Sequence, residues 1–152
     1  MEFSDVIKNR YSCKKFSSEQ IGKDKLDAIL EAGRVAPTAK NLQEQHIYVV
    51  QSESALETID KLTPCRYNAP TVLIVAYNKN NVFTYLGDKR NSGIEDATIV
   101  ATHLMLAAYN EGVDSCWINF FNPDELAKAF NLPEDEEILM LLDLGVADKT
   151  TT

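Results

Sequence analysis

Apolar positions along this chain change period several times, and each change marks a predicted element. Residues 2–9 read as a short helix with Phe3, Val6 and Ile7 on one side. Residues 23–36, "KDKLDAILEAGRVA", carry Leu26, Ile29, Leu30 and Gly33 at helical spacing, and Pro37 ends the pattern. Residues 46–51, "HIYVVQ", are β-branched and aromatic and predict a strand. Residues 53–62 form an amphipathic helix that Ser52 can cap. The near-continuous apolar run at 71–77, "TVLIVAY", suits a strand buried on both faces. The longest helix covers 93–111 and is apolar nearly all round between Ile99 and Ala108, as a central buried helix is; Gly112 would stop it. A strand at 114–119, a short helix at 123–130 with Pro123 in its first turn, and a strand within 137–147 complete the set. The sum is an α+β fold, a central sheet of about four strands with helices on its faces. The long apolar helix suggests an oligomer interface as much as a monomer core.

No repeat, low-complexity segment or compositional break divides the chain, so residues 1–152 are read as a single domain. A net charge of −8 argues against nucleic acid, whose binding rests on Lys and Arg neutralising phosphates, and against an anionic membrane surface. No apolar run is long enough to predict a transmembrane helix, and the first residues lack the apolar centre of a signal peptide. Cys13, Cys65 and Cys116 are scattered, forming neither a disulfide framework nor a metal-binding pair. Two histidines, His46 and His103, are too few for a zinc site, so no metal is expected. A reduced, cytoplasmic setting is the simple reading.

Against that acidic background, residues 10–16, "RYSCKKF", stand out. On an extended backbone Arg10, Ser12 and Lys14 line one face over roughly 13 Å. That is about the reach from a nucleotide phosphate to the far end of its ring system. Arginine offers phosphate a forked donor, serine a neutral one, and lysine a point charge. An exposed basic loop explains the spacing as readily. A second stretch, residues 36–46, "APTAKNLQEQH", places small residues and Asn41 between a helix and a strand. Small side chains let a flat ligand approach the backbone, and a carboxamide can both donate to and accept from a ring edge. A routine polar connector is equally compatible with it.

Taken in order, R-x-S-x-K, then A-P-T-A-x-N-x-Q, then N-A-P before the buried strand, then "AAYNEGVDSCWINFF", the chain resembles the nitroreductase family of FMN-dependent oxidoreductases, from about residue 3 to residue 147. The resemblance implies a central, mostly antiparallel sheet flanked by helices. It also implies a homodimer with two FMN sites at its interface, each built from both subunits. It assigns Arg10 and Ser12 to the phosphate and Lys14 to the N1–C2 carbonyl edge of the flavin, with Tyr11 contributing backbone only. Pro37, Thr38, Ala39 and Asn41 become the contacts reaching in from the partner, and Asn119 and Phe120 the stretch near flavin N5. The implied activity is NAD(P)H-dependent reduction of electron-poor small-molecule acceptors, such as nitroaromatics or quinones, by ping-pong hydride transfer. A non-catalytic flavin-binding dimer and a dimer that has lost the cofactor are the alternatives.

Several positions depart from the family pattern. Thr38 and Ala39 stand where serines are frequent, and Glu44-Gln45-His46 follow Gln43 in place of Pro-Trp. The family's basic C-terminal segment has no counterpart here, where the sequence ends at Lys149 and three threonines. The insertion that longer members carry over the active site is largely missing. No protein acid or nucleophile is nominated: Cys13 and Cys116 are expected to pack, while Cys65 and Arg66, just before N-A-P, could approach the ring from one side.

Overall fold

A computed structural model of the chain describes residues 1–150. Helices are α1 (Phe3–Asn9), α2 (Lys23–Arg34), α3 (Glu53–Leu62), α4 (Gly93–Asn110) and α5 (Pro123–Ala129); strands are β1 (Gln45–Val50), β2 (Thr71–Asn78), β3 (Asp114–Ile118) and β4 (Glu136–Gly145). The strands form one sheet in the order β1-β2-β4-β3, every neighbouring pair antiparallel.

Alternation along β2 explains why its sequence is apolar throughout. Leu73 and Val75 face α2 and α4, while Val72, Ile74 and Ala76 face α3 and α5. In β4 a register shift opposite Val75 and Ala76 inserts one residue. Met140, Leu142 and Leu144 therefore join the α2/α4 side, while Ile138 and Leu141 join the other. Local chemistry sets the helix ends. The Ser52 hydroxyl accepts from the Ala55 N–H at 3.2 Å, and the Asn122 carboxamide accepts from Asp124 and Glu125 ahead of α5. Gly112, at φ +75°, lets the chain turn from α4 into β3.

Two sequence expectations need correction, on α2 and on α4. Helix α2 stops at Arg34, two residues short of the predicted end, because Pro37 disfavours helical geometry at the residue before it. On α1 only Val6 is buried; Phe3 and Ile7 are 68% and 50% exposed. Helix α4 is fully buried on one face only, through Ala97, Val100, Ala101, Leu104 and Ala108; Ile99 and Met105 are half-buried and pack against that core, while Thr102, His103 and Leu106 are half-buried without joining it. Its apolar girth therefore exceeds what this chain alone covers. No described helix is long and apolar enough to cross a membrane.

Gly93 seats the start of α4 on the sheet: a Cβ there would lie 2.5 Å from Cε2 of the buried Tyr77 ring. Gly93→Ala is expected to lower stability by about 1–3 kcal/mol in denaturant titration, since the rigid ring must move. A neutral result would show that the ring yields freely.

Candidate functional site

Residues 10–16 are not a solvated loop. Extended backbone leaves α1 at Arg10 and runs beside β3, where Ser12 pairs with Ser115 in parallel. Backbone bonds pin it: Cys13 N–H donates to Ser115 O at 2.8 Å, Phe16 N–H to Tyr67 O at 3.0 Å, and Ser17 N–H to Val146 O at 2.8 Å. Cys13 and Phe16 point inward and pack with Ala69 and Cys116. Ser12 and Lys14 face out, and Arg10 is half-buried.

The parallel register gives the strip a direction. Lys14 lies toward the C-terminal end of β3 and Arg10 toward its start. Asn119 and Phe120 follow that same C-terminal end. They are exposed, Phe120 at 72%, on a surface depression of about 610 Å³ shared with Leu62 and Pro123. The Asn119 carboxamide oxygen accepts from Trp117 Nε1 at 2.9 Å, and the Phe120 carbonyl accepts from the Thr63 hydroxyl at 2.7 Å. One edge of the sheet thus carries, in order, a guanidinium, a hydroxyl, an ammonium and a braced polar turn.

The Arg10 Nε–H is buried and has no acceptor. A buried donor left unpaired costs free energy, so this one is suited to an acceptor brought by a ligand. Tyr11 turns the other way: partial burial first, then Asp114, push its phenol up to about 12.

The second stretch lies elsewhere. Pro37 is exposed, Thr38 and Ala39 are half-buried, and Ala39–Asn41 form a single 3₁₀ turn that leads into β1, at the sheet edge opposite β3. Lys40, Asn41 and Gln43 all adopt positive φ, at 56°, 54° and 49°. Such residues persist only when surrounding contacts enforce them. Here Ala39 N–H donates to Asp96 Oδ1 at 2.9 Å, Gln43 N–H to the Thr38 hydroxyl at 3.0 Å, and Gln43 Nε2 to Arg34 O at 3.1 Å. Helix α4 spans the sheet between the two stretches, and from Asp96 to Asn110 it covers roughly 20 Å. A single chain does not bring the two stretches together.

Comparison with known proteins identifies the scaffold. The nitroreductase family model matches residues 7–66 and 63–146. The chain belongs to the nitroreductase family. Among relatives of this family, a Bacillus subtilis protein named as an NAD(P)H nitroreductase (YodC) is 28% identical over 95% of this chain and 89% of its own length. A nitroreductase family protein from Clostridium difficile, of known structure, is 33% identical with a TM-score of 0.94, covering 100% of this chain and 88% of that one. A nitroreductase from Exiguobacterium sibiricum, solved in complex with FMN, shares the fold at a TM-score of 0.86 and 21% identity, covering 100% of this chain and 91% of its own. The nitroreductase-like fold, with its four-stranded antiparallel sheet and five helices among the described residues, is therefore the fold of this chain.

Other polar features of this nitroreductase-family chain lie outside the predicted site. Asp143 in β4 is 0% exposed, and neither of its oxygens has a hydrogen-bond partner. Burial pushes its carboxyl up to about 9, opposed by Arg66 and assisted by Cys65 and Asp60. Arg66 itself is held by Asp60 at 2.7 and 2.8 Å and by Ala69 O at 2.7 Å. Cys116 stands opposite Asp143 across the ladder; burial and that carboxyl raise its thiol to about 11, so it packs as an unreactive thiol. Cys65 is half-buried beside Tyr67. Glu44 and Asp96 are likewise buried acids. A lone acid inside "LMLLDLGV" was the one available sequence signal for Asp143; Glu44 and Asp96 sit in ordinary polar contexts and gave none.

Proposed function

We propose that this chain is an FMN-dependent NAD(P)H oxidoreductase acting as a homodimer, with electron-poor small molecules such as nitroaromatics or quinones as acceptors in a ping-pong cycle. The observation that carries the reading is the strip along β3, with its buried, acceptor-free Arg10 Nε–H at one end and Lys14 toward the Asn119–Phe120 turn. Family membership and the FMN complex of the Exiguobacterium relative support it.

In this reading Arg10 and Ser12 bind the phosphate, the guanidinium gaining the acceptor it lacks. Lys14 faces the pyrimidine edge of the ring, where its ammonium stabilises negative charge that develops on reduction. The bound flavin supplies the hydride chemistry, and the protein positions it and tunes its electronics. Pro37, Thr38, Ala39 and Asn41 come from the second copy, since within one chain they lie at the opposite sheet edge from the strip. Exposed Phe3 and Ile7 and the uncovered side of α4 are apolar surface for that second copy.

Purified protein is expected to be yellow, or to become so with added FMN, and to bleach when NADH or NADPH is added without oxygen. Nitroaromatic or quinone should restore the colour. Protein that ignores FMN would sink the reading, and yellow protein that neither nucleotide bleaches would leave only a flavin-binding role.

A further inference from the structure

The strained turn at 37–43 rests on two acids. Asp96, in the first turn of α4, is 2% exposed and Glu44, just before β1, is 3% exposed. Asp96 Oδ1 accepts the Ala39 N–H, but Asp96 Oδ2 and both Glu44 carboxyl oxygens are buried without a donor. The two carboxyls face each other. Two carboxylates cannot bond, since both only accept, whereas a carboxylic acid donates to a carboxylate. At Asp96 the Ala39 N–H and the N-terminus of α4 are both oriented toward an acceptor oxygen.

The phenols that face the pair are bonded elsewhere. From β2 the phenol of Tyr77 faces Glu44 and donates instead to Glu137 of β4 at 2.8 Å. From the segment before α4, Tyr85 faces Asp96, donates to Glu95 at 2.5 Å, and lies under the Arg90 guanidinium, 4.2 Å from its ring centre. Burial first, then Asp96, raises the Glu44 carboxyl to about 7.

The geometry points to Glu44 and Asp96 as positioning residues: a one-proton carboxyl clamp that holds the 37–43 turn in its strained shape and thereby sets flavin affinity. The flavin part of this inference rests on the function proposed above; the clamp itself does not. The sign follows from linkage. The closed turn keeps a proton on Glu44 that the opened turn releases in the ordinary carboxylate range. Closure is therefore favoured at low pH, weakens as pH rises toward about 7, and stays weak above it.

Two readouts test this in the full-length protein. In hydrogen exchange, corrected for the intrinsic pH dependence, the peptide spanning 37–44 should open about tenfold more at about pH 8 than at about pH 5. Glu44→Gln supplies a permanent amide donor to Asp96 and removes the carboxyl whose proton is at issue, so this variant should give a flat profile. FMN titration should show the natural chain losing affinity by a similar factor relative to that variant, a comparison that cancels the titration of the FMN phosphate itself. Identical exchange profiles in natural and variant chains would overturn the clamp. Exchange that follows pH while FMN affinity does not would overturn its role in binding. No FMN binding at any pH, with the exchange profile as expected, would overturn the flavin reading and leave the clamp standing.

Discussion

Asp143→Asn is expected to stabilise the protein by about 2–4 kcal/mol at about pH 8 and by little near pH 4. Asp143 lies at the centre of the sheet, between Val72 and Cys116, with no exposure and no partner on either oxygen. Folding therefore requires the neutral acid, whereas the unfolded chain ionises it in the ordinary range. A group whose proton affinity rises on folding stabilises at low pH and loses that contribution as pH climbs toward its folded value, here about 9. Asparagine keeps the shape and cannot ionise, so the gap between the two proteins should widen steadily from about pH 4 to about pH 8. Arg66 cannot abolish it, because Asp60 and the Ala69 carbonyl already hold the guanidinium. Parallel thermal melts across that range check the claim. A constant gap would mean that Asp143 stays ionised and has a partner.

Arg10→Ala should weaken FMN binding by about 10- to 100-fold, the worth of charge-assisted bonds to a phosphate. The ligand-free protein should melt no lower than the natural chain, because the Arg10 Nε–H that is removed has no partner to lose. FMN should then raise the melting temperature of the natural chain much more than that of the variant. Lys14→Ala separates the two ends of the strip. Its side chain is exposed near the far end of β3, so the variant should retain more FMN than Arg10→Ala yet reduce more slowly with NADH or NADPH. Full flavin content and normal turnover in both variants would dismiss the strip as the cofactor seat.

Much of the fold was legible because burial and period coincide. The run at 71–77 became a strand buried on both faces, and helices 53–62 and 93–111 appeared within a residue of their predicted limits. Periodicity put Phe3, Val6 and Ile7 on one side of a helix but did not record that only Val6 is covered within the chain. The strip was legible as a spacing, and its direction came only from the family resemblance, not from the residues themselves. Pairing of Ser12 with Ser115 places Lys14 rather than Arg10 toward Asn119. Glu44 and Asp96 were invisible for a different reason. Whether a carboxyl is solvated depends on contacts between positions as distant as Ala39 and Asp96, which no local pattern records.

In the proposed dimer, the placement of the two candidate stretches at opposite sheet edges would change how damage is inherited between copies. If, as proposed, each site takes one chain's strip and the other chain's turn, the functional unit is the pair rather than the chain. A pair in which one copy lacks a working strip and the other lacks a working turn concentrates both defects in one site and leaves the second whole. Two individually dead alleles could then complement each other within a mixed pair, whereas two lesions in the same stretch could not.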